Sequence, residues 1–224
     1  MKDRPVPSKP STTRPAPAQP PLPELLPLFP LQMVLFPDSQ LGLKIFEARY
    51  LDMVSECLRT QQPFGLVCLL QGGEANRGGP VVIEEVGVLT YIDEVDSVQP
   101  GILRLQCHGG RRFRRRGPLT QRDNGLWISA VDLIAEDPLR LPGPATFDTV
   151  RALKSAITTL QEHGQLPFAP PFRLDEAGWV ANRWCELLPV PLATKQKLMA
   201  LVDPTIRLSL VDGFLRDKKV VIGE

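Results

Sequence analysis

The chain has 224 residues, of which 43% are hydrophobic and 23% charged, enough apolar side chain to fill the core of one or two globular domains. A formal net charge of +1 excludes a global field that would draw the chain to nucleic acid or to an acidic membrane, so any such preference has to come from a local patch. Four scattered cysteines without a CxxC pair and only two histidines exclude a recognisable zinc motif, and no apolar run reaches the roughly 20 residues of a membrane span.

Residues 1–26 alternate proline with serine, threonine, alanine and glutamine, a composition that buries little apolar surface and predicts a disordered tail with polyproline-like conformers. Service as an SH3-type ligand is the functional alternative for those prolines. Prolines stand where a signal peptide needs an apolar stretch, so secretion is not expected. Most of the cysteines sit inside apolar runs and read as reduced core thiols, which predicts a cytoplasmic location.

Residues 27–137 carry mostly a period of two. Order is expected from Leu28, with strands over Leu41 to Phe46, Phe64 to Leu70 and Val81 to Val95, the last bent or bulged at Gly87. Leu103, Leu105 and Cys107 alternate with Arg104, Gln106 and His108 to make a two-faced strand, and Gly109-Gly110 is expected to turn the chain. Asn124-Gly125 predicts a type I′ hairpin. One helix interrupts, from about Ala48 to Arg59, with Leu51, Val54 and Leu58 as its apolar face. It is expected to plug or flank a barrel.

After the proline-rich break of 137–144 the period becomes 3.6, and residues 145–216 predict a small helical bundle ahead of a short tail, 217–224. Phe147, Val150, Leu153, Ile157 and Leu160 form the first stripe, which Gly164 ends. Asp175 is placed to cap a second helix bearing Ala177, Val180, Trp184 and Leu187. A short helix from Thr194 to Leu201 follows. Asp203-Pro204 opens the last helix, with Ile206, Leu210 and Phe214 as its predicted core face. The expected fold class is α+β, a mostly antiparallel β pseudo-barrel followed by an α-helical bundle, with a hydrophobic groove between them as the binding site.

Glu47, Arg49 and Tyr50 place a carboxylate, a guanidinium and a phenol at a strand-to-helix junction. They serve either a binding site or only the helix N-terminus and a local ion pair. Arg111 to Arg116, interrupted by Phe113, form the one dense charge cluster. In a strand those arginines divide between two faces, which favours a solvated or ion-paired strand over phosphate or acidic-peptide binding. Trp179 and Trp184 lie five apart, so both cannot share one stripe; Trp179 is expected at an inter-domain contact or as an exposed anchor. His108 and His163 belong to no nucleophile motif, and GxSxG, HExxH, GxGxxG and GxxxxGK[ST] are all absent.

The run Leu28-Phe29-Pro30-Leu31-Gln32-Met33-Val34-Leu35-Phe36-Pro37, followed by Leu41-Gly42-Leu43-Lys44-Ile45-Phe46-Glu47-Ala48-Arg49-Tyr50, resembles the opening signature of the N-terminal, substrate-binding domain of Lon proteases. The resemblance continues through Phe64-Gly65-Leu66-Val67, Glu85-Val86-Gly87, Gly110-Arg111-Arg112-Phe113, Leu187-Leu188-Pro189 and Asp203-Pro204-Thr205-Ile206-Arg207-Leu208, covering roughly residues 27–216. It implies a PUA-like barrel followed by a helical bundle, in a non-catalytic module without cofactor or metal. The implied ligands are unfolded or extended protein segments, with a protease or chaperone as a further partner. Glu47, Arg49, Tyr50, Arg112, Phe113 and Trp179 are the expected contact residues, and RNA binding through the Arg111–Arg116 strand is the alternative.

Overall fold

The structure is a computed structural model that describes residues 22–72, 81–164 and 168–221. The alternating half of the chain forms β1 (Leu26–Leu31), β2 (Gln40–Ile45), α1 (Ala48–Thr60), β3 (Phe64–Gln71), β4 (Val82–Gln99), β5 (Ile102–Gln121) and β6 (Trp127–Leu133). The helical half forms α2 (Phe147–Glu162), α3 (Ala177–Leu187), α4 (Leu192–Ala200) and α5 (Pro204–Asp217). The result is the expected α+β class. Strand β1 begins at Leu26 rather than Leu28, because Leu26 and Leu28 both enter the same buried cluster with Val67, Leu89 and Phe113. Residues 1–21 of the expected tail lie outside the described residues.

Strands β1, β3, β4, β5 and β6 pair in a ring that β6 closes by bonding to both β5 and β1; only β1 and β3 run parallel. Closure removes the edges that an open sheet would expose. Strand β2 stands outside the ring, paired to the first half of β5.

Several glycines act differently from expectation. Gly87 pairs with Val67 and Phe113 and does stand next to an irregularity, since the β3–β4 register shifts directly after the Val67–Gly87 pair, although on the β5 side the nearest shift falls between Val88 and Thr90. It is there for space: a Cβ at Gly87 would lie 2.5 Å from the Leu66 carbonyl oxygen and 2.6 Å from the Phe113 ring. Gly109 and Gly110 do not turn the chain. Strand β5 runs straight through them, and a Cβ at Gly109 would stand 2.3 Å from the Phe36 carbonyl oxygen. In the β5–β6 hairpin Gly125 has a positive φ of 82° and its N–H donates to the Arg122 carbonyl at 2.8 Å. Asn124 keeps negative φ and instead accepts from the Leu126 N–H, so the hairpin is not type I′.

Helix faces are also rotated. Helix α1 buries Tyr50, Met53, Val54 and Cys57 against Phe29, Phe64 and Leu126, while Leu58 is exposed. Helix α3 is buried on every side from Ala177 to Cys185, and its N-cap is Glu176, not Asp175. In α2, Leu153 and Ile157 are buried but Phe147 is exposed. Helix α5 is capped as expected, with Asp203 Oδ1 accepting from the N–H groups of Thr205 and Ile206 at 2.8 and 3.1 Å. Its core face is Leu208, Val211 and Leu215, whereas Ile206 and Leu210 are more than half exposed.

The reason lies in Arg207. That side chain is 1% exposed; Nη1 donates to Asp137 Oδ2 at 2.6 Å and to Asn182 Oδ1 at 3.0 Å, and Nε donates to the Leu198 carbonyl at 3.0 Å. Turning Ile206 inward would eject this cation from its carboxylate. Barrel and bundle meet across one cluster in which Leu66, Cys68, Val86 and Val88 of the barrel pack with Leu153, Val180, Trp184 and Leu208.

Candidate functional site

The Phe-Glu-Ala-Arg-Tyr segment folds into a joint. Glu47 is the N-cap of α1, and its carboxylate takes Arg49 Nε at 3.1 Å and Nη2 at 2.9 Å. Arg49 Nη1 donates to the Gly125 carbonyl at 3.1 Å, tying α1 to the β5–β6 hairpin. Tyr50 is buried edge-on against Phe29 with ring centres 4.2 Å apart.

The arginine strand divides as alternation requires, but both of its faces are covered at one place. Phe113 points into the barrel and is fully buried, while its neighbour Arg112 points the other way and is buried under the bundle. Arg112 Nη2 meets Asp137 Oδ1 at 2.5 Å, and Nη1 donates to the Leu201 and Met199 carbonyls. Arg114 pairs with Glu85 and Arg116 with Asp132. The positive charge is matched locally rather than focused on one surface. Trp179 is buried, packed among Phe168, Phe172 and the Arg183 guanidinium at the barrel–bundle seam.

Sequence reasoning missed the open side of the barrel. Among the described residues β2 has a strand on one side only, and β1 pairs with β6 only over Leu26–Leu28, which leaves Phe29–Leu31 open on that side. Between these two free margins lies a cavity of about 300 Å³, lined by Phe29–Leu31 on one side and Gly42–Glu47 on the other, with Tyr50 at its end. The same two chain segments continue into a second cavity of about 380 Å³, lined by Gln32–Leu35 and by Ser39 and Gln40, and reaching Glu186, Val190, Leu192 and Lys195 of the bundle. Both cavities flank β2, and together they are called the β2 cleft. Phe46, 62% exposed, and exposed Lys44 stand beside it. An apolar residue just past a strand end was the available signal, but without the strand order it reads as core.

The sequence profile of the ATP-dependent protease La (LON) substrate-binding domain matches residues 25–217. The chain belongs to the Lon substrate-binding domain family. A crystal structure of a Lon N-terminal domain protein from Xanthomonas campestris is 32% identical, aligns over 84% of this chain and 96% of its own, and has a TM-score of 0.67. The N-terminal domain of a Mycobacterium avium complex Lon protease is 15% identical over 86% of this chain and 98% of its own, with a TM-score of 0.59, and shares the fold. A search of curated proteins finds no match.

As a member of the Lon family of substrate-binding domains, the chain is a substrate-recognition module, a non-catalytic kind of domain that binds protein substrates. Burial pushes the Cys57, Cys107 and Cys185 thiols up to about 12 and raises Cys68, so all four free cysteines stay protonated. His108 is held by Asp93 at 2.6 Å in the open, and no group of three metal-ligating side chains occurs among the described residues. No helix among them is long and apolar enough to cross a membrane.

One carboxyl beside the cleft is perturbed. Burial pushes Glu186 up to about 7, against the pull of Arg183 at 2.6 Å and of the Ser39 hydroxyl, which donates to it at 2.5 Å. Arg183 in turn is 1% exposed and donates to the Asp38 and Pro37 carbonyls at 2.9 and 2.6 Å.

Proposed function

We propose that the chain binds extended or unfolded segments of other proteins along the open edge of β2, as an added strand whose apolar side chains enter the two cavities. The observation that carries this reading is the pairing of a free strand edge with apolar pockets at both of its ends. Free main-chain N–H and C=O groups supply hydrogen bonds that any sequence can meet, which a recogniser of unfolded chains needs, and pockets beside them select apolar residues at alternate positions. Six residues of β2 span about 20 Å, the length of a six- or seven-residue peptide.

Of the residues expected to make contact, Glu47 and Tyr50 line this cleft, and Arg49 fixes Glu47. Phe113 fills the barrel from within, and Arg112 holds the seam between barrel and bundle. The outward Lys44 and the proline at position 30 protect the edges from pairing between copies of the chain. The bound segment is passed to a protease or chaperone, in a cytoplasm where four buried thiols remain reduced.

The test is fluorescence anisotropy with a labelled unfolded protein and with single-stranded RNA at two salt concentrations, on the native chain and on Phe46→Asp and Leu192→Asp variants. Salt-tolerant binding to the unfolded protein, weakened about tenfold by each substitution, is expected, at unchanged Tm for exposed Phe46 and with a lowered Tm for Leu192, which also packs against the core, since each places a charge where an apolar side chain docks. Full-strength binding in both variants overturns the β2 reading, and salt-sensitive binding to RNA alone overturns the protein-segment reading.

A further inference from the structure

A further cavity of about 430 Å³ lies elsewhere, at the barrel–bundle seam. Two side chains on its wall have unspent donors. Asn182, 4% exposed, gives its Oδ1 to Arg207 Nη1 at 3.0 Å, which fixes the amide so that Nδ2 is the free end. Nδ2 donates to nothing among the described residues. Trp179, also 4% exposed, packs its ring against Phe168 and Phe172, and its indole N–H has no acceptor either. The other buried tryptophan is different: Trp184 Nε1 donates to the Thr149 carbonyl at 3.0 Å.

Among the described residues, the side-chain polar atoms that are both sealed from solvent and unpartnered are Arg111 Nε, Arg183 Nε and Gln196 Oε1. Trp179 Nε1 and Asn182 Nδ2 are outside that set, so each keeps some exposure, and both residues line the cavity. They stand three residues apart on α3, one turn along the same face. A buried indole N–H and a buried carboxamide normally find partners. Here both point the same kind of demand, for a hydrogen-bond acceptor, at the same space.

The charges on the wall decide what kind of acceptor fits. Arg112 is bound to Asp137, Arg173 to Asp38 and Glu176, and Arg111 faces Glu136 at 3.9 Å. Four carboxylates thus balance three arginines, and Arg207 stands behind Asp137. An anion entering the cavity would meet no uncompensated cation and would pass those carboxylates. An uncharged acceptor is not penalised in that way. Stacked Tyr91 and His108, with ring centres 5.3 Å apart, add a flat wall suited to a planar group.

We infer that the barrel–bundle crevice is a second binding site, separate from the β2 cleft, that takes an uncharged planar carbonyl group, either a carboxamide side chain or a main-chain amide, on Trp179 Nε1 and Asn182 Nδ2.

The test is a titration of the whole ¹⁵N-labelled chain followed by the indole N–H resonances of its three tryptophans, with Trp179→Phe assigning the relevant one. The probes are the N-acetyl, C-methylamide derivatives of glutamine, alanine and glutamate. Saturable movement of the Trp179 indole and of the Asn182 side-chain amide by the glutamine probe is expected, with the glutamate probe at least about fivefold weaker because its carboxylate is charged. Equal binding of the alanine probe assigns the site to main-chain carbonyls, and glutamine alone assigns it to carboxamides; either supports the inference. Asn182→Asp keeps the acceptor for Arg207 and loses the free donor, so it should weaken the glutamine probe about fivefold at unchanged Tm. If that variant unfolds, Trp179→Phe, read through the Asn182 amide, takes its place with the same expected loss. Absence of saturation at either resonance, glutamate binding as tightly as glutamine where the alanine probe does not bind, or undiminished binding in the folded variant overturns the inference.

Discussion

The barrel presents two sides that handle polar groups in opposite ways. At the seam with the bundle, Arg112, Arg183 and Arg207 are each no more than 3% exposed, and each is held by a carboxylate and by main-chain carbonyls. Along β2 the main-chain groups of a whole strand edge have no strand beside them among the described residues, and the flanking side chains are Phe46 and Lys44 in the open. Buried charge is tolerated only when its geometry is over-determined, which makes the seam rigid; an unpaired edge is free to accept whatever extended chain arrives. The seam holds the two halves in register so that the cleft keeps its shape.

The contrast breaks most sharply at the seam. Arg207→Ala leaves Asp137 with only Arg112, and Arg112→Ala leaves it with only Arg207, so each variant should lose about 3–5 kcal/mol in urea unfolding. A loss below about 1 kcal/mol in both would mean that these cations are not what fixes the two halves.

Next in size is a pH effect at Glu186, where seam and cleft meet. Its folded carboxyl holds a proton up to about 7, against 4.5 for a free side chain, so between those values the folded state binds the extra proton. Stability is therefore expected to fall as pH rises from about 4.5 to 7, by up to about 3 kcal/mol, and then to level off. Glu186→Gln should flatten that part of the profile, and a Gln variant with the same slope would trace it to another group.

The smallest effects are expected in the open. Arg114, two residues from Arg112 and paired with exposed Glu85 at 3.0 Å, should cost less than about 0.5 kcal/mol on conversion to alanine. Phe46→Ser at the rim of the cleft should change stability by no more than about 0.5 kcal/mol while weakening segment binding, which separates recognition from folding.

Much of the local structure was legible. Alternation located the strands, and Asp203-Pro204 located the start of α5 because a cap and a fixed φ act within one turn of the chain. Which face of a helix is buried was less legible: a stripe of Ile206, Leu210 and Phe214 competes with a stripe of Leu208, Val211 and Leu215. The choice was made by Arg207 meeting Asp137, 70 residues away. The site was less legible still, since Phe46 and Leu192 mark a cleft only once β1 and β2 are known to lie side by side without pairing.

By itself the sequence determined the element types, the division into an alternating half and a 3.6-period half, and the family signature, because those rest on spacing along the chain. Tertiary structure alone decided that Gly109 and Gly110 pass straight through a strand, that Arg112 is buried while Arg114 is not, and that β2 keeps an open edge. Each of those outcomes depends on which distant segment arrives opposite: the Phe36 carbonyl for Gly109, Asp137 and the Leu201 carbonyl for Arg112, and, among the described residues, no strand for the outer edge of β2.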